Sequence, residues 1–61
     1  MPRYRFLDAM GDVVEQAELA DHAAALEFAV AEDGPDAEVQ RVEYLGPAGD
    51  WRWAGALRGS S

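Results

Sequence analysis

Few side chains in this sequence can do chemistry. Cys, Lys, Thr and Asn are absent and the only serines are the terminal Ser60 and Ser61, so the usual activated nucleophiles are missing from the folded region. His22 is the sole histidine. Asp21 beside it has the composition of a catalytic pair, but neighbours on a helix point in different directions. An N-capping Asp next to a partly buried His is the commoner arrangement. Glu32, Asp33, Asp36 and Glu38 carry oxygen ligands suited to calcium, yet they lack the alternating D-x-D-x-D-G spacing of the calcium-binding loop. A solvated acidic turn accounts for them. Gly46-x-x-Gly49 sits in a hairpin, with no following helix to supply anion-binding amides. The inventory therefore points away from catalysis, metals and cofactors and toward recognition. Trp and Arg dominate interface hot spots, and here they are Trp51 and Trp53 with Arg3, Arg5 and Arg41.

Two hairpins must position those residues. Val42 and Tyr44 alternate with Arg41 and Glu43, the period-2 signature of a strand with two unlike faces, and Trp51-Arg52-Trp53 resumes it after a break. Pro47 can begin a type I turn there, and Gly49 can take the left-handed position that closes a G1-bulge loop. The segment from Arg3 to Val13 aligns without gaps on Arg41 to Trp51 through the pattern R-x-x-[FY]-L-x-x-x-G-D, so a second hairpin of the same kind is expected, with Gly11 in its bulge. This register sets Leu7 opposite Val13, Phe6 opposite Val14, Arg5 opposite Glu15 and Tyr4 opposite Gln16. Tyr4 and Phe6 are the core candidates of the first strand.

Between the hairpins, Asp21 can cap a helix from His22 to about Glu32, built on Ala23, Ala24 and Ala25 and stopped by Gly34-Pro35. Ala25, Leu26, Ala29 and Val30 form its apolar arc. Phe28 falls outside the middle of that arc. Either the helix rotates to bury Phe28 at a sheet edge, or the ring is free for a partner. The order is ββαββ, an α+β fold in which a four-stranded antiparallel sheet carries one helix on one face. A single domain over residues 1–58 with a frayed tail over 59–61 is expected.

The second hairpin has two registers. If its turn copies the first, Leu45 faces Trp51, Tyr44 faces Arg52 and Glu43 faces Trp53. Both tryptophans then lie on the side away from the helix with Leu7, Val13 and Leu45, edged by Arg3, Arg5 and Arg41, and Ala54 and Ala56 pass under the helix. With a four-residue loop instead, Tyr44 faces Trp51 and both tryptophans join the core, because a one-residue slip turns every side chain over. The internal similarity favours the first register, whose weakness is an inward Arg52.

Sixty-one residues with no cysteine make a small domain that needs a compact core, a partner or self-association for its stability. No apolar run approaches the ~20 residues of a membrane span, and a soluble, cytoplasmic protein is expected. Twelve acidic residues against five arginines give a net charge of −7, which opposes direct nucleic-acid binding through phosphate contacts. The acids crowd into Glu27, Glu32, Asp33, Asp36 and Glu38, whereas Arg3, Arg5, Arg41 and Arg52 lie on strands. A bipolar surface is expected.

Met1-Pro2-Arg3-Tyr4 with Phe6, Leu19-x-Asp21 before an Ala-rich helix, and Arg41-Val42-Glu43 with Ala48-Gly49 together resemble a family of very short bacterial proteins of unknown function. These are common in alphaproteobacteria and begin M-P-R-[YF]-x-F. His22 and the tryptophans depart from that pattern. The resemblance supports the fold and implies no activity. The function expected from the residues is a non-enzymatic, small acidic protein-interaction module. It would act as an inhibitor on a basic, nucleic-acid-binding surface of a partner, as some phage-encoded anti-defence proteins do. The alternative is a homodimeric accessory protein whose Trp/Arg sheet face is the dimer interface.

Overall fold

The structure is a computed structural model and describes residues 1–35, 37–55 and 57. Its elements run β1 (Arg3–Leu7), β2 (Val13–Glu18), α1 (His22–Val30), β3 (Arg41–Leu45) and β4 (Trp51–Trp53). The four strands form one antiparallel sheet in the order β2-β1-β3-β4. The expected α+β architecture is the one observed. The first strand of each hairpin lies inside, and the second forms an edge.

Both turns are built alike. The Asp8 N–H donates to the Asp12 carbonyl at 3.0 Å and the Gly11 N–H to Asp8 at 3.0 Å; the equivalents are Gly46 to Asp50 at 2.7 Å and Gly49 to Gly46 at 3.0 Å. Gly11 and Gly49 share a φ of 84°, a left-handed conformation that a side chain would strain. The second hairpin takes the register of the internal repeat, pairing Leu45 with Trp51, Tyr44 with Arg52 and Glu43 with Trp53. Arg52 on the inward register is nonetheless exposed, and its Nε donates to Asp50 at 2.9 Å.

The first hairpin departs from its expected register. Leu7 pairs with Val13 as expected, but a bulge follows, and Phe6 then faces Glu15, Arg5 faces Gln16 and Tyr4 faces Ala17. The physical reason lies under the helix. Without the extra residue Gln16 would oppose the fully buried Tyr4; with it, Ala17 takes that place and packs against the core beside Val14. The expected Arg5–Glu15 pair is therefore not formed.

Asp21 caps α1 as expected, its carboxylate accepting the Ala24 N–H at 2.9 Å. The helix ends at Val30, short of Glu32, because Ala31 turns to extended backbone and Gly34 donates to the Ala31 carbonyl at 3.1 Å. Ala25 and Ala29 face the sheet, and Phe28 packs edge-on against Phe6 with centroids 5.2 Å apart. Val30, placed in the apolar arc by the sequence, is 51% exposed. The helix has rotated toward its largest apolar side chain, since burying the Phe28 ring removes more apolar surface than burying a valine. Tyr4, Phe6 and Val42 form the fully buried centre, joined by Ala25, Ala29, Val39 and Ala54. Ala56 and the tail from 59 to 61 fall outside the described residues.

Candidate interaction surfaces

Strand alternation sorts the sheet into two sides. Tyr4, Phe6, Val42 and Tyr44 face α1, so Arg3, Arg5 and Leu7, Arg41, Glu43 and Leu45, and Trp51 and Trp53 face away. The structure thus brings together Trp51, Trp53, Arg3, Arg5 and Arg41 on the side that α1 leaves open. Phe28 lies on the other side, against Phe6.

The centre of the open side is an ion cluster. Arg5 Nε donates to Glu43 Oε1 at 2.7 Å, Arg5 Nη2 lies 2.6 Å from the same oxygen, and Arg41 Nε donates to Oε2 at 2.7 Å. Glu43 is only 9% exposed. The Arg41 hydrogen bond holds its carboxyl below the ordinary value of 4.5; burial opposes this, and the Arg5 hydrogen bond and both positive charges reinforce it. Arg5 also stacks with its guanidinium carbon 4.5 Å from the centre of the Trp51 ring. Arg3 pairs with Glu18 across the edge at 3.5 Å. Around these pairs Trp53 is 57% exposed, Val13 43% and Leu45 38%. The result is a nearly charge-balanced face with exposed apolar side chains.

The lowered Glu43 value has a stability consequence. A carboxyl held low in the folded state stabilises the fold above its unfolded value, and that contribution is lost as pH falls through the folded value. Acid denaturation should therefore steepen below pH 4.5, and Glu43→Gln should flatten this part of the profile. At neutral pH Glu43→Gln is expected to cost about 1–2 kcal/mol, since charge-assisted hydrogen bonds are lost but both arginines can reach water. Urea midpoints measured from pH 3 to pH 7 for both proteins check this.

A second cluster, not foreseen from the sequence, closes one end of the helix side. The Tyr4 hydroxyl and His22 Nδ1 are hydrogen-bonded at 2.8 Å, and the His22 ring lies tilted by 42° against Tyr44 with centroids 4.5 Å apart. With the imidazole neutral and Nε2 protonated, the hydroxyl is the donor. The signal was the tyrosine itself, because a buried hydroxyl needs a partner and the first turn of α1 passes over it. Burial raises the Tyr4 hydroxyl above 10.0, with the Asp21 charge and Tyr44 adding to it. That contribution to stability is complete below pH 10.0 and declines as pH rises through the folded value. Tyr4→Phe is expected to cost about 1 kcal/mol and to delay alkaline unfolding, which circular dichroism across pH 9 to 12 would reveal. Asp21 uses its carboxylate on the Ala24 N–H, where it serves the helix end.

The acidic residues of the helix and the loop after it lie apart from both clusters. Glu27, Glu32, Asp33 and Glu38 are exposed, and Asp36 falls outside the described residues. No group of three or more metal-binding side chains converges among the described residues. A shallow open depression of about 260 Å³ at the β2 edge is lined by Arg3, Gln16, Ala17 and Glu18, below the ~300–1,000 Å³ of usual ligand pockets. No helix among the described residues is long and apolar enough to cross a membrane. Comparison with protein-family models, curated proteins and solved structures finds no match to this chain.

Proposed function

We propose that the chain is a non-enzymatic interaction module whose acidic side, α1 and the loop after it, docks on a basic surface of a partner protein that otherwise binds nucleic acid. The observation that carries this reading is how the charges are paired. Each of the four described arginines is held by a carboxylate of the sheet or its turns: Arg3 by Glu18, Arg5 and Arg41 by Glu43, and Arg52 by Asp50. Glu32, Asp33 and Glu38 are exposed and have no ion-pair partner among the described residues. A partner's lysines and arginines would supply what the described residues do not. The same pairing disfavours direct contact with nucleic acid, because its arginines would have to leave their carboxylates to reach phosphate against a net charge of −7.

The test is capture from a cell lysate on the immobilised chain at about 50 and about 500 mM salt, where screening lengths differ roughly threefold. Basic nucleic-acid-binding proteins, identified by mass spectrometry, should be held at low salt and released at high salt. A captured set indifferent to salt, or not enriched in such proteins, would contradict the reading.

A further inference from the structure

We infer that the open side of the sheet is the interface of a face-to-face homodimer, in which the two sheets are related by a two-fold axis running parallel to the strands. The pattern of charge on that face leads to this arrangement. Across β2, β1, β3 and β4 the open side reads Gln16, Arg5, Glu43 and Trp53 in one row. Continuing the same register, the next row reads Glu18, Arg3, Leu45 and Trp51. Arg5 and Glu43 are also equivalent positions of the internal repeat, so opposite charges stand side by side at the middle of the sheet.

A second copy can cover this face about two in-plane axes. With the axis across the strands, Arg5 lies over the partner's Arg5 and Glu43 over the partner's Glu43, which is repulsive. With the axis along the strands, column order reverses, and Arg5 lies over the partner's Glu43 in both directions. Trp51 then covers the partner's Glu18, and Arg3 meets the partner's Leu45. Aligned sheets pack rotated by about 30°, and a rotation about the middle scarcely moves the central pair. Of these two orientations only the axis along the strands sets the central charges over opposite ones, as a self-complementary two-fold interface requires.

The area sets the strength. Strands of five, six, five and three residues, at about 3.4 Å per residue and about 4.8 Å apart, cover a plan of roughly 310 Å². Counted on both copies that is roughly 620 Å², below the ~1,200 Å² of standard specific interfaces, so the dimer is weak and concentration-dependent. Net charge sets its salt dependence. Each copy carries −7, while the buried faces are the near-balanced ones, so distant repulsion opposes association and salt relieves it. This is the reverse of the dependence proposed for docking on a basic partner. The two can therefore fail separately.

Sedimentation equilibrium of the full chain, from about 10 μM to about 1 mM, should show a monomer–dimer equilibrium within that range. Its dissociation constant should fall about tenfold between about 20 and about 300 mM salt. Trp53→Asp should weaken it at least tenfold, whereas Val30→Asp, which adds the same charge on the helix side, should weaken it no more than about twofold. The double variant Arg5→Glu with Glu43→Arg tests the orientation: it should associate with itself but not mix with the wild type, since the two sequences would then oppose like charges. A monomer throughout the range, a dimer that Trp53→Asp leaves intact, or preferential mixing of the charge-exchanged variant with the wild type would each overturn the inference. So would tryptophan emission that shifts to the blue only on adding a different protein.

Discussion

Phe6→Ala is expected to leave the domain largely unfolded at 37 °C. Phe6 is fully buried at the centre of β1, opposite Val42 of β3 and edge-on to Phe28 of α1, so it ties both inner strands to the middle of the helix. Removing a buried phenylalanine ring costs about 3–5 kcal/mol through lost transfer energy and the cavity left behind. A chain of 61 residues has roughly 3–9 kcal/mol of total stability at ordinary values per residue. With one of three fully buried large side chains deleted, little remains. At about 4–8 °C per kcal/mol for a domain of this size, the thermal midpoint should fall by at least about 12 °C. By contrast Trp53→Ala, which removes an exposed ring, should shift it by no more than a few degrees in dilute solution. Melting curves of both variants, followed by circular dichroism, would show a Phe6→Ala shift under about 5 °C if the core were elsewhere.

Neutralising the acidic side should separate binding from folding. The triple variant Glu32→Gln, Asp33→Asn and Glu38→Gln changes the net charge from −7 to −4 and touches only exposed carboxylates without a described ion pair. Its thermal midpoint should be unchanged or slightly higher, because self-repulsion in the compact state is relieved. Affinity for a basic partner should drop about tenfold to a hundredfold at low salt, mainly through slower association, and the difference should narrow as salt rises. Surface plasmon resonance at two salt concentrations measures both effects. Equal association rates for wild type and variant at low salt would place the docking site elsewhere.

How far the sequence alone reached depended on whether a feature was local. The turns at Gly11 and Gly49 were legible because only glycine accepts a φ of 84° without strain. The repeat that contains them then predicted the register that puts Trp51 and Trp53 on the open side. Asp21 was legible for the same reason, since a cap acts within its own turn. The bulge between Val13 and Glu15 was not, because it answers to the helix overhead: Ala17, and not Gln16, fits against buried Tyr4. Arg5 likewise finds Glu43, a residue 38 positions away, and not its hairpin neighbour Glu15, because β1 and β3 lie side by side and nothing in either strand announces that order. The rotation of α1 toward Phe28 and the hydrogen bond between Tyr4 and His22 are tertiary in the same sense. The open face was therefore visible as a list of residues. Its internal ion pairing, which makes it nearly neutral, emerged only from the fold.

Competition with duplex DNA tests the central claim most directly. If the acidic side occupies a nucleic-acid-binding surface, partners captured on the immobilised chain at low salt should be displaced by a duplex oligonucleotide at low micromolar concentration. Their displacement should parallel their release by salt, and they should not be captured by the triple-neutralised variant. Partners that stay bound in the presence of saturating duplex DNA, and that the variant captures equally well, would contradict it.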